Sequence, residues 1–495
     1  MRLIMSNLGE RKQLPPAVRC EVMPEPVAMP NRRLFVRSAL GLSAAAAALH
    51  AAGSRKPNIV FVLVDDMGLT DLHCYGSDFY ESPNIDKLAR EGMQFTQAYS
   101  ACTVCSPSRA AILTGRYPAR LHLTDFIPGQ PFPFAKLRPP EWIQHLPREE
   151  LTIAEALKPL GYATASIGKW HLGGAGFTPE DQGFDRNRGG TEKGQPPSYF
   201  LPYGISTLKD GQAGEYLTDR EFSESLQFIE ENRARPFFLY LPHHAVHTPL
   251  EAKQELIDKF KARVREGMPQ KNAVYAAMIE SVDHSVGALM AKLRKLKLEE
   301  QTIVVFTSDN GGLLASTKHL NLRAGKGSAY EGGVRVPLIV RWPGVVKPGT
   351  TCAAPVMGID FYPTMLELAS ADRTPGQIID GESLAPLLKG SGRLRRDTLF
   401  WHYPHYHAGG ATPHSAIREQ DWKLIEFQED GRTELYHLAS DPQESDDVSS
   451  VNPGRNRALQ RKLSAWRQSV QAQPALPNPY YDPTKTRVRN ANTND

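Results

Sequence analysis

Cysteine is scarce in this chain, with five in 495 residues, at positions 20, 74, 102, 105 and 352. So few thiols over that length cannot build the disulfide framework that holds small secreted domains together. The fold must therefore rest on an apolar core, and a cysteine can be kept for chemistry. Long apolar runs are also missing. The Ala- and Leu-rich stretch 38–52 is shorter than the roughly 20 residues that a spanning helix needs, so no stable membrane span is expected. Charge of one sign is missing too: 58 Lys and Arg against 54 Asp and Glu leave +4. With no basic block and no basic–aromatic stripe, no nucleic-acid partner is expected. What remains is ordinary globular composition, 41% hydrophobic and 23% charged, long enough for one large domain and a smaller one.

The N-terminus carries a targeting pattern. Asn31-Arg32-Arg33-Leu34-Phe35-Val36-Arg37 precedes the Ala-rich stretch 38–52, giving the charged, apolar and small-residue order of a signal peptide. The arginine pair before Leu-Phe resembles the twin-arginine export signal of bacteria. No cysteine follows the apolar stretch, which argues against a lipoprotein anchor. Residues 1–53 are expected to be leader and signal, and the protein to be exported to the periplasm or beyond.

Past the leader, short β-rich apolar runs stop abruptly at polar residues. Asn58 to Val64 meets Asp65-Asp66, and Tyr162 to Ile167 meets Gly168-Lys169-Trp170-His171. Pro236 to Leu241 meets His243, His244 and His247, and Thr302 to Phe306 meets Ser308-Asp309-Asn310-Gly311-Gly312. A further run, Val336 to Val340, ends at Arg341. Unalternating runs suit strands buried on both faces. Helical patterns lie between them at 84–91, 106–114, 152–160, 219–232 and 275–297, which predicts an α/β sheet covered on both sides. Ligands of such sheets bind beyond the carboxyl ends of the strands, so four runs deliver Asp, Lys, His and Asn to one edge. From about residue 395 the texture becomes short strands with turns and then a helix over 455–470. The expected organisation is a catalytic domain over 54–395, an antiparallel sheet-plus-helix subdomain over 396–473, and a poorly ordered tail over 474–495.

Asp65, Asp66, Asp309 and Asn310 are oxygen donors at two strand ends, and hard cations such as calcium take several such oxygens. Each pair alone could equally cap a helix or make a turn; together at one edge they favour a metal. Cys102-Thr103-Val104-Cys105 could be a redox or metal Cys-x-x-C, but no second pair completes a zinc site. Pro107 suits a first helical turn, so Cys105 should sit at a helix N-terminus, with Arg109 one turn on and able to hold an anion. Lys169 and His171 flank Trp170, so a strand-like backbone would point both the same way. Lys169 could neutralise an anionic oxygen, and His171 could act as acid or base. His243, His244, His247 and Lys326 are ambiguous on their own.

Cys105-Ser106-Pro107-Ser108-Arg109, running into Ala-Ala-Ile-Leu-Thr-Gly-Arg116, resembles the signature of the formylglycine sulfatases, in their arylsulfatase and N-acetylgalactosamine-6-sulfatase branch. Gly168-Lys-Trp-His-Leu-Gly173, Asp309-Asn-Gly-Gly312, Tyr330-Glu-Gly-Gly-Val-Arg-Val-Pro337 and Leu435-Tyr-His-Leu-Ala-Ser-Asp-Pro442 extend the likeness over roughly residues 55–445. The resemblance implies an alkaline-phosphatase-like α/β fold and one calcium ion held by Asp65, Asp66, Asp309, Asn310 and an oxygen of modified Cys105. Arg109, Lys169, His171, His247 and Lys326 would surround the nucleophile and the sulfate. His247 is preferred to His244 because the family's histidine precedes x-Pro, as in His247-Thr248-Pro249. Cys105 would become formylglycine (3-oxoalanine) through a formylglycine-generating enzyme. The expected activity is sulfate-ester hydrolysis on a sulfated carbohydrate or an aryl sulfate. A phosphate or phosphonate ester hydrolase of the same fold and an unmodified sulfated-glycan binder are the rival readings. Polar aromatic residues from His402 to His414 suit sugar hydroxyls and ring faces, or else form a structural cluster.

Overall fold

The computed structural model describes residues 56–209 and 211–485; the signal-peptide pattern and its arginine pair lie outside them. Eight strands form the main sheet: β1 (Asn58–Val64), β2 (Met93–Phe95), β3 (Ala163–Ile167), β4 (Arg186–Arg188), β5 (Phe237–Pro242), β6 (Thr302–Ser308), β7 (Leu338–Arg341) and β8 (Thr350–Cys352). Their spatial order is β8-β2-β7-β6-β1-β5-β3-β4. The centre of the sheet, β6-β1-β5-β3-β4, is parallel throughout. β7 runs antiparallel to both β6 and β2, so the run ending at Arg341 presents its polar end to the opposite edge from the other four.

β1 shows why its sequence does not alternate. Val60, Val62 and Val64 enter one apolar core, and Ile59, Phe61 and Leu63 enter the other. A strand with helices on both faces needs apolar residues at every position. The first core is closed by α3 (Leu217–Glu231) and α4 (Ala273–Lys295), and the second by α2 (Cys105–Thr114) and the helix Phe361–Ala369; α1 (Pro83–Glu91) packs against α4 and β7. The register aligns the strand ends: Val64 lies opposite Ser308, and Leu63 opposite Pro242. Asp65-Asp66, His243-His244 and Asp309-Asn310 therefore leave the sheet side by side.

A second, antiparallel sheet is built from β9 (Thr398–Tyr403), β10 (His414–Glu419), β11 (Trp422–Phe427) and β12 (Thr433–His437), followed by α5 (Pro453–Ser469). Its apolar side packs with Tyr99, Ala101 and Ala111, next to the helix that begins at Cys105. Under this seam Lys423 is buried between Glu331 and Glu444, at 2.8 and 3.0 Å. Burial raises Glu331, but Lys423, Arg335 and Arg418 overcome it and hold the acid down at about 2.

The tail differs from expectation as far as residue 485. Leu476–Pro477 pairs antiparallel with Leu137–Arg138, and Asn478 Nδ2 donates to the carbonyls of Pro133 and Ala135 at 2.9 and 2.7 Å. Low apolar content did not foretell order here, because a loop 343 and 345 positions earlier supplies the backbone partners. Among the described residues no helix is long and apolar enough to cross a membrane.

Candidate active site

Every residue of α2 is buried, and its first residue is Cys105, preceded by Val104 in extended conformation. The helix stops at Gly115, whose φ of 72° needs no Cβ to avoid. Two hydroxyls fix the turn before it: Ser100 Oγ and Ser108 Oγ both donate to the Cys102 carbonyl, at 2.6 and 3.1 Å. Cys105 Sγ then lies 3.4 Å from Asp65 Oδ1, 3.8 Å from Asp66 Oδ1 and 3.3 Å from Lys326 Nζ. Burial and Asp65 push its thiol well above the ordinary range, and burial takes the Cys102 thiol up to about 12. Both shifts disfavour the thiolate that redox chemistry at a Cys-x-x-C uses.

The carboxylates converge on the same point. Asp66 adopts a φ of 60°, a turn tolerated by Asp, and its N–H donates to Asp309 Oδ1 at 3.2 Å. Asn310 Nδ2 donates to Asp66 Oδ1 at 2.7 Å, while Asn310 Oδ1 is buried with no hydrogen-bond partner. Burial and Asp65 raise Asp309 to about 6, against the pull of Arg109. Burial would raise Asp66 as well, but Lys326, His247 and Lys169 hold it well below the usual carboxylate range.

The cations close over these acids. Lys169 Nζ is 2.5 Å from Asp65 Oδ2, and Lys326 Nζ is 2.7 Å from Asp66 Oδ1. Lys326 reaches the site through glycine contacts: a Cβ on Gly311 would sit 2.0 Å from the Gly332 carbonyl oxygen, and one on Gly332 2.2 Å from that of Ala324. Only the paired glycines of both motifs let these backbones touch. Arg109 is fully buried and turns onto protein groups. Its Nε and NH2 are 2.9 and 2.8 Å from Asp309 Oδ2, and NH1 donates to the Lys169 carbonyl at 2.9 Å. In this arrangement Arg109 orients the carboxylates.

The two histidines differ in placement. β3 ends at Ile167, and Gly168 and His171 take φ values of 120° and 59°, so the backbone around Trp170 is not strand-like as the sequence suggested. His171 Nε2 lies 2.5 Å from the Ile127 carbonyl, which can only accept, so Nε2 carries the hydrogen; Nδ1 is buried without a partner. Burial and Lys169 push the ring well below its ordinary range, leaving a neutral base with an unused lone pair. His247 Nδ1 donates to the Thr248 carbonyl at 2.8 Å, so Nε2 faces Asp66 Oδ2 at 3.6 Å. Burial and Lys326 lower it to about 3. Donor atoms of Asp65, Asp66, Cys105 and His247 all fall within 4.8 Å of one another. His243 and His244 do not join them, because both rings are taken by Glu221.

The histidine-rich segment divides in the same way. His402 is tied to Ser415 and the Gln473 carbonyl, His405 to Thr124, and His414 to the Thr412 carbonyl. His407 alone of the four comes beside the loop that carries Lys326, whose charge it feels, packing so closely on Gly327 that a Cβ there would clash with its ring. Sequence reading missed Asp125, a buried acid that accepts from Tyr403 at 2.9 Å and is raised to about 7 by burial. It also missed Glu221 and Tyr199. These stand in unremarkable loop and helix sequence, and only their complete burial marks them.

A cation fits this arrangement on chemical grounds. Three buried carboxylates and an orphaned amide oxygen supply four hard donors. An unpartnered buried acceptor is costly unless a cation or a donor meets it.

Comparison with known proteins agrees with this geometry. Residues 57–371 match the family model for sulfatases, and residues 325–472 match the model for the C-terminal region of N-sulphoglucosamine sulphohydrolase. Human arylsulfatase A is 35% identical over 411 residues, covering 76% of this chain and 74% of that protein. N-acetylgalactosamine-6-sulfatase of Canis lupus familiaris is 35% identical over 400 residues, covering 75% and 72%. Among solved structures, Ps i-CgsB in complex with k-i-k-neocarrahexaose superposes with a TM-score of 0.72 at 30% identity, covering 87% of this chain and 96% of that one.

Proposed function

We propose, from the premise that this chain belongs to the sulfatase family and is a sulfuric ester hydrolase of alkaline-phosphatase-like α/β fold, that it removes sulfate from a carbohydrate through a formylglycine made from Cys105. The observation that carries the reading is the position of Cys105 Sγ, 3.3 Å from Lys326 Nζ and 3.4 Å from Asp65, at a buried helix start where its thiol stays protonated. A thiol held neutral is a poor nucleophile and a poor ligand for a hard cation; an aldehyde that hydrates to two hydroxyls suits both tasks.

Asp65, Asp66, Asp309 and Asn310 would hold calcium, which lowers the pKa of a bound hydroxyl and polarises the ester. Arg109 fixes Asp309 and Asp65. With the carboxylates occupied, Lys169 and Lys326 turn to the sulfate oxygens and offset the charge that builds there. One hydroxyl of residue 105 attacks sulfur in line with the leaving alcohol. His247 Nε2 gives that alcohol its proton: burial and Lys326 hold the ring neutral without substrate, and the negative charge of the bound ester offsets Lys326 and favours the protonated ring. Loss of the second hydroxyl's proton, to His171 Nδ1, expels sulfate and restores the aldehyde.

The carbohydrate assignment is supported by His407 beside Lys326 and by the neocarrahexaose complex of the similar structure. Matched sulfate and phosphate monoesters of one sugar test the chemistry, with sulfate expected to turn over at least about 100-fold faster in kcat/KM. Faster phosphate turnover would replace this reading with a phosphohydrolase.

Export by the twin-arginine route is proposed from the leader sequence, and it would let Cys105 be oxidised in the cytoplasm before translocation of the folded chain. Arg32→Lys with Arg33→Lys is expected to leave modified, active enzyme in the cytoplasmic fraction. Normal arrival of that double variant in the periplasm would refute the route, since a Sec signal tolerates a charge-preserving change.

A further inference from the structure

Behind the site lie buried groups to which the chemistry above gives no part. Glu221, in α3, is fully buried; its Oε2 is 2.7 Å from His243 Nδ1 and its Oε1 2.5 Å from His244 Nδ1. His243 Nε2 is in turn 3.0 Å from Ser285 Oγ of α4. Tyr199, also fully buried, places its hydroxyl 2.6 Å from the His244 carbonyl oxygen and 2.9 Å from that of His247. A buried carboxylate or phenol is costly unless its hydrogen bonds are made. Both find those bonds in one turn, 243–248, and that turn carries His247.

The main chain alone holds only the first part of the turn. His243 N–H donates to Leu63 at 2.8 Å, Asp65 N–H to Ala245 at 3.0 Å, and Val246 N–H to Asp65 at 2.9 Å. These bonds tie 243–246 to the end of β1, where the carboxylates are. At His247 the backbone contacts are its own N–H to the His244 carbonyl, at 3.1 Å, and the Tyr199 hydroxyl. The His244 carbonyl is thus shared by both, and the His244 ring is fixed by Glu221. Loosening either the hydroxyl or the carboxylate frees the peptide from which the His247 ring projects.

We propose that Tyr199 and Glu221 are positioning residues of the sulfatase reaction, a brace that sets His247 at the leaving oxygen of the ester. This rests on the reading of His247 as the proton donor. Donor placement matters only when the leaving group needs a proton. A nitrophenolate departs unaided, whereas phenolate and sugar alkoxides do not. A displacement of about 1 Å in a reacting group can cost on the order of 100-fold. Tyr199→Phe keeps the ring and its packing and removes only the hydroxyl. It is expected to lose roughly 10- to 100-fold in kcat on phenyl sulfate and under about 3-fold on 4-nitrophenyl sulfate.

The experiment measures kcat on both esters for wild type, Tyr199→Phe, Glu221→Gln and His247→Ala, each carrying formylglycine and each checked by thermal melting. The proposal stands if Tyr199→Phe shows the leaving-group-selective loss seen in His247→Ala. If His247→Ala is selective and Tyr199→Phe loses equally on both esters, the brace is wrong and the donor assignment survives. If His247→Ala shows no selectivity, the donor assignment fails and the brace fails with it. Glu221→Gln puts an amide N–H against a histidine donor; where it does not fold, Tyr199→Phe decides alone.

Discussion

Cys105→Ala is expected to abolish turnover, a fall of roughly 10⁴-fold or more in kcat, while Cys102→Ala keeps most of it. The two thiols are three residues apart yet occupy different surroundings. Cys105 faces Asp65, Asp66 and Lys326. Cys102 sits in a small apolar cluster with Val104 and Tyr403, where truncation removes packing and no reacting atom. In cells that make formylglycine, the peptide carrying residue 105 should show sulfur replaced by an aldehyde oxygen in its mass. Cys105→Ser should resemble Cys105→Ala wherever serine is not oxidised, since a single hydroxyl attacks once and then has no second hydroxyl with which to expel sulfate. Equal loss in the Cys102 and Cys105 variants, with an unmodified peptide mass, would return the motif to a structural or redox role.

Stripping divalent ions is expected to cost about 1,000-fold or more in activity, with calcium restoring it and zinc alone failing to do so. The four hard oxygen donors argue for calcium over a soft metal. A second readout does not depend on turnover. A cation that binds only the folded chain stabilises it by about 2.7 kcal/mol at 100 times its Kd, so calcium should raise the melting temperature. Asp66→Asn keeps the shape of the side chain but removes one of the charges that bind the ion. The calcium-induced rise should shrink in that variant, with Lys326 losing its partner at 2.7 Å. Recovery of activity with zinc alone, or a melting temperature indifferent to calcium in the wild type, would sink the assignment.

Much of the site could be read from the chain because strand ends and motifs coincide. β1 was legible over its whole length, since a strand covered on both faces must be apolar throughout. The parallel order of β1, β3, β5 and β6 then forces Asp65, Lys169, His247 and Asp309 to one edge, which the residues after each run foretold. The antiparallel direction of β7 was hidden, because an apolar run carries no sign of its direction. The backbone around His171 was misread for a local reason: the strand stops at Ile167, and Gly168 and His171 itself take left-handed φ values.

The sequence by itself determined the sheet, the nucleophile candidate at a helix start and the residue types around it, because periodicity, Pro107 and short motifs act over a few neighbouring positions. Only the tertiary structure decided how those side chains are shared. It turned Arg109 onto Asp309, 200 positions away, and gave His243 and His244 to Glu221. It also set His407, alone of the four histidines between 402 and 414, beside the loop that carries Lys326. Each of these outcomes is a hydrogen bond or close packing between distant segments. Whether a charged side chain faces solvent, substrate or another buried charge is fixed by the groups that meet it when those segments pack, and no local pattern records that meeting.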